Sequence, residues 1–123
     1  VTLAGVARAA FACGLLCMLL FAWLPAPPQL PGKPDDSLLH ALAFGVLSGT
    51  AAIGFRRASL VQLGERLAFL GAIVELVQSL PVLQRSCEFG DWLVDVAAIM
   101  LTLAAAGLLR SRRAVKVAAG HAL

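Results

Sequence analysis

Apolar positions along the chain fall into four long runs separated by short polar stretches. The first covers residues 3–24 and contains AAFACGLLCMLLFAWL, without a charge. The second, 37–55, reads SLLHALAFGVLSGTAAIGF. The third, 60–80, carries Glu65 and Arg66 early, and the stretch 67–83 that follows is close to the shortest span of about 17 residues. The fourth, 89–109, reads FGDWLVDVAAIMLTLAAAGLL. None alternates as a strand would, and none repeats another. A helix of the first run's length extends about 33 Å, against a hydrocarbon core of about 30 Å. The connections, 25–36, 56–58 and 81–88, are short, which favours sequential antiparallel neighbours.

Local chemistry supports these boundaries. PDDS offers Asp35, Asp36 or Ser37 as the cap of the second helix. Pro81 ends or kinks the third. Asp91 and Asp95 fall in the first two turns of the fourth, where carboxylates complement the helix dipole. Trp23 and Trp92 stand near run ends, where indole favours a membrane interface. Gly45 and Gly49 have the GxxxG spacing that lets helices approach closely, and predict a packing contact, within the chain or with a partner.

Composition turns four helices into four expected spans. Of the 123 residues 60% are hydrophobic and 14% charged, with a mean hydropathy of +0.89. Soluble domains average about 45–50% apolar and about 25% charged. A soluble four-helix bundle would also need a continuous polar face on each helix, which runs one, two and four lack. The expected fold is therefore all-α: a single membrane domain, an antiparallel bundle of four transmembrane helices, with a basic tail at 110–123. A cleaved signal peptide is the competing reading of the first run, with Arg8 as its basic region. The Pro-rich stretch after it lacks a good cleavage site. Val1 is not Met, which fits either an alternative start codon or a trimmed chain.

The net charge of +3 is small, but its placement is informative. Arg8, Arg56, Arg57, Arg66, Arg110, Arg112, Arg113 and Lys116 share one side of a four-span bundle. Lys33 and Arg85 lie on the other. The positive-inside rule then puts both termini and the 56–58 turn in the cytoplasm. The RSRRAVK tail, with His121 beyond it, is expected to contact anionic lipid. No basic run is interleaved with aromatics, so nucleic acid is not an expected partner. Cys13, Cys17 and Cys87 are too few and too scattered for a disulfide framework or a zinc site.

The polar residues inside the runs do not scatter. His40 lies about 6 Å below Asp36 on the second helix, and Glu75 about 9 Å below the end of the third. Gln78 is one turn from Glu75 on the same face, as Asp91 is from Asp95. Arg85 and Glu88 fall in the connection above. Three helices thus carry polar groups in the outer third of the expected membrane, where an ionisable residue is costly and points to a site or a partner. No second His or Cys joins His40 there, so no metal and no cofactor are expected.

The two polar blocks resemble a known family. DDSLLHALAFGVLSG is similar to the D-x-x-x-H-x-x-x-F block of the VanZ-like membrane proteins. ELVQSLPVLQRSCEFGDWLVDVAA is similar to their second block: E-x-x-Q, a Pro-containing turn, Arg, then acidic residues opening the last helix. The resemblance covers residues 36 to about 109. It implies Asp36, His40, Glu75, Gln78, Arg85, Asp91 and Asp95 as ligand-binding positions. Many relatives carry Asn where Asp95 stands, and a Gly soon after, where this chain has Ala98 and Ile99 before Gly107. It also implies a multi-pass protein of the bacterial inner membrane, connected with the cell envelope and with resistance to the glycopeptide teicoplanin.

The expected function is binding of an amphiphilic envelope ligand (a lipid head group, a wall precursor or a lipoglycopeptide) in an outward-facing polar pocket. Arg85 and His40 would meet an anion, and Glu75, Asp91 and Asp95 an amine or sugar hydroxyls. A membrane-embedded enzyme is the alternative, with Glu75 and His40 as general base and acid. It lacks a nucleophile motif, so no catalytic residue is assigned. A structural subunit docking through Gly45 and Gly49 is the third.

Overall fold

The computed structural model describes residues 1–23, 36–81 and 89–122; of Asp36, Ser37 and Ala122 it describes the backbone alone. Four helices follow one another: α1 Leu3–Ala22, α2 Asp36–Gly54, α3 Leu60–Gln78 and α4 Phe89–Ala122. No strand occurs among the described residues. The helical runs agree with the apolar pattern to within about two residues, except that α4 does not stop at 109. Its basic stretch continues as the same helix, because nothing from Arg110 to His121 breaks it.

The ends have local causes. Thr2 caps α1 by accepting from the Gly5 N–H at 2.9 Å, and Ser59 caps α3 by accepting from Gln62 at 3.1 Å. Each satisfies a donor that the first turn leaves without an intrahelical partner. The cap of α2 lies outside the described residues. Pro81 stands just beyond α3, whose C-cap is Ser79.

Consecutive helices run antiparallel. Arg8 near the start of α1 donates from Nε to the Gly54 carbonyl at the end of α2, at 2.7 Å. Leu60 and Gly64 of α3 oppose Gly107 and Leu103 of α4. Helix α2 takes the central place, packing most extensively against α1 and α4, while α3 packs mainly on α4. It is therefore α2 and α4, parallel to each other, that build the middle. Gly45 and Gly49 both face Thr102 of α4, so the GxxxG face serves packing within the chain. Around it Phe44, Leu47, Ala51, Ala52, Leu63, Leu67, Ile99 and Leu103 form the buried core.

The two ends of the bundle differ in chemistry. At the basic end, Arg110 donates to the carbonyls of Ala52 at 2.8 Å and Ala58 at 3.2 Å. With Arg8 on Gly54, two guanidinium groups satisfy carbonyls at the C-terminus of α2 and oppose the negative end of its dipole. Arg8 also lies over the Phe55 ring, which meets Phe11 edge to face. The opposite end holds Ala22, His40, Gln78 and Asp91.

Two helices, Leu3–Ala22 and Phe89–His121, are long and apolar enough to cross a membrane. The apolar stretch of α2, Leu38–Gly54, is shorter.

Candidate functional site

The site is built one turn inside the polar end. His40 sits in the second turn of α2, Glu75 one turn from the end of α3 and Asp95 in the second turn of α4. The antiparallel order of α3 against its neighbours brings these positions level. His40 Nδ1 lies 3.4 Å from Glu75 Oε1 and 3.6 Å from Asp95 Oδ2. Asp95 is fully buried and Glu75 is 6% exposed; the His40 side chain is 11% exposed.

Packing explains the convergence. Gly71 stands one turn before Glu75, and its missing side chain leaves room between α3 and α4. A Cβ there would lie 3.4 Å from Phe44 and from Trp92, and 3.6 Å from Asp95 Oδ2. Any longer side chain would enter the space of Asp95. Trp92 fastens the other edge, donating from Nε1 to the Ala68 carbonyl at 3.0 Å. This indole, expected as an interface marker, thus also ties α4 to α3.

Electrostatics favours a positive charge beside the two carboxylates. The three ligand-capable atoms of His40, Glu75 and Asp95 lie within 4.8 Å of one another. Two ionised carboxylates within that distance repel by at least about 3 kcal/mol at an effective dielectric of about 20. The imidazole between them can offset this as a cation or as a ligand to one.

The remaining expected positions divide. Gln78 is buried on the same face as Glu75, but its amide donates to the Ala22 carbonyl at 3.0 Å. It closes the C-terminus of α1, a structural role that sequence spacing does not reveal. Asp91 is half-buried in the first turn of α4. Asp36 opens α2, with its side chain outside the description. Arg85, Glu88 and Cys87 lie outside the described residues, so the expected Arg85 contacts do too. Cys13 and Cys17 are free and exposed on α1.

One feature escaped the sequence reading. A cleft of about 440 Å³ runs between α1 and α2, lined by Met18, Phe21, Leu42, Ala43 and Val46, and by His40. Its volume falls within the range of small-ligand sites, about 300–1,000 Å³. Its walls are apolar apart from His40 and Cys17. Leu42 and Val46 on its rim are more than half exposed, so the cleft opens sideways as well as toward the cluster. The signal available in sequence was the small Gly14 and Ala43 among large apolar neighbours, which is too common to identify a groove.

No protein-family profile, curated protein or solved structure matches this chain.

Proposed function

We propose that this chain is a four-span membrane protein that binds an amphiphile, with the acyl chain in the α1–α2 cleft and the head group at the His40–Glu75–Asp95 cluster. The observation that carries this reading is His40 itself. It belongs both to the wall of an apolar cleft and to a buried charged cluster. An amphiphile is the ligand class that needs both in one place.

Lipid as the surrounding solvent fits the surface. Helix α1 buries only Ala7 and Ala22 of its 20 residues, so it is not the core helix of a soluble domain. Leu16, Leu20, Phe69, Leu76, Met100 and Leu101 are all more than half exposed. Soluble monomers rarely expose large apolar patches, and so many exposed large apolar side chains suit a lipid-facing surface. Helices α2 and α3, which carry His40 and Glu75, would complete the spans. Basic residues gathered at the opposite end favour placing that end in the cytoplasm. The cluster then opens outward, in the bacterial inner membrane. The VanZ-like resemblance, with its envelope and glycopeptide-resistance associations, is the family proposal consistent with this arrangement.

The test is photo-crosslinking with a phospholipid carrying a diazirine on its acyl chain, followed by peptide mapping. Label is expected on the cleft segment around Met18 and on Leu42 to Val46. Filling the cleft with Ala43→Trp should lower that labelling severalfold, while the exposed α4 face at Met100 and Leu101 labels as before. Equal cleft labelling in variant and parent would overturn the proposal.

A further inference from the structure

We infer that His40, Glu75 and Asp95 form a binding site for one divalent transition-metal ion of the zinc type. The first ground is the donor set. An imidazole nitrogen and two carboxylates come from three different helices, with ligand atoms all within 4.8 Å of one another. Nitrogen and oxygen donors of this kind suit zinc, manganese or ferrous iron, and the absence of thiolate from the set disfavours the softest ions.

The second ground is distance. His40 Nδ1 stands 3.4 Å from Glu75 Oε1 and 3.6 Å from Asp95 Oδ2. Charge-assisted hydrogen bonds between such groups are shorter, about 2.7–2.9 Å. Two ligands that share a tetrahedral ion with bonds of about 2.0–2.1 Å are separated by about 3.4 Å. The imidazole is therefore spaced from each carboxylate as neighbouring ligands around an ion are.

The third ground is charge. A neutral imidazole and two carboxylates form a ligand set whose charge suits a divalent ion. Both carboxylates lie away from water, Asp95 with no exposed surface and Glu75 with 6%. The helices hold all three donors in place, with Gly71 leaving the room that Asp95 fills. His40 also lines the cleft, which supplies an entry path. Three protein ligands leave a further position for water or for an anionic group, the pattern of sites that exchange ligands rather than purely structural ones.

A metal is not expected from sequence, because no second His or Cys joins His40 in the polar layer. The ligands meet only across the three helices. The inference stands apart from the amphiphile proposal, since its test uses metal alone.

The experiment is zinc titration of the purified, chelator-treated full chain in detergent, in a Cys13→Ser, Cys17→Ser, Cys87→Ser background. One zinc per chain is expected. His40→Ala, Glu75→Gln and Asp95→Asn should each weaken binding at least about a hundredfold, the upper end of what losing a supporting group around a metal ligand costs. His121→Ala should bind as the parent does. No stoichiometric binding by the parent, or unchanged binding by the three cluster variants, would overturn the inference. Where a variant loses its cooperative melt, X-ray absorption of the zinc-loaded parent decides. Light N and O donors with one imidazole support the site, and two imidazoles or none overturn it.

Discussion

Gly54 and Gly71 lie at opposite ends of the bundle and answer to different constraints. At Gly54 a Cβ would come within 2.9 Å of Arg8 Cγ and 3.1 Å of the Arg8 backbone nitrogen. That backbone cannot move without parting α1 from α2. At Gly71 the nearest atoms are side chains at ordinary contact distance. Alanine is the better helix former by about 1 kcal/mol, so packing decides the sign at each position. Gly54→Ala is expected to destabilise by about 1–3 kcal/mol, the range for overpacking. Gly71→Ala is expected to be neutral or up to about 1 kcal/mol stabilising. Thermal unfolding of the two variants in one detergent checks the contrast, and equal shifts would contradict it. The same spacing shows how finely the cluster is set: a methyl fits beside Asp95, but a leucine at 71 does not.

At the scale of elements, α2 depends on its neighbours for its end groups. Its last carbonyls are satisfied by Arg8 from α1 and Arg110 from α4. Hydrogen bonds to charged groups contribute about 1.5–3 kcal/mol. Arg110→Ala should therefore cost about that much, whereas Arg112→Ala, at an exposed position, should stay within about 0.5 kcal/mol. Denaturant unfolding of the pair measures the difference. Helix α1 is closed in the same manner by Gln78 of α3. The C-terminal ends of α1 and α2 are thus tied by side chains from other helices, which couples local helix stability to the bundle. The α4 extension is not tied in this way. Its residues from Ser111 to His121 are all exposed, and no helix of the bundle covers them.

For the whole molecule, the proposed orientation makes a direct prediction. In a cysteine-free background, Ser79→Cys lies at the cluster end and Ser111→Cys on the basic extension, both at exposed positions. A membrane-impermeant maleimide added to intact spheroplasts should label the first and not the second. Labelling of Ser111→Cys alone would invert the orientation, and labelling of neither in cells that label both after lysis would place the protein away from the surface membrane. The physical basis is the sorting of Arg8, Arg56, Arg57 and Arg110 to one end, which the helix pairings now tie together in space.

Much of this architecture was legible along the chain because its cause is local. Apolar run length set four helices, and breaks at 56–58 and Pro81 set the hairpins. Counting residues from those breaks placed His40, Glu75 and Asp95 at one depth, since the rise of a helix is constant. The end of α4 was not legible: its polarity changes at Arg110, but polarity alone does not stop a helix. Depth also does not determine azimuth. Gln78 shares a face with Glu75, yet it serves α1, while Asp95 turns into the cluster. Only packing decided that, because Gly71 leaves room for Asp95 between α3 and α4, while one turn beyond Glu75 the Ala22 carbonyl accepts from the Gln78 amide. The cleft likewise depends on how far α1 stands from α2, a distance that no single helix encodes. Sequence alone thus determined which helices form and how deep their polar groups lie. The tertiary structure decided which of those groups meet, because that depends on helix rotation and on the gaps that small residues leave between neighbours.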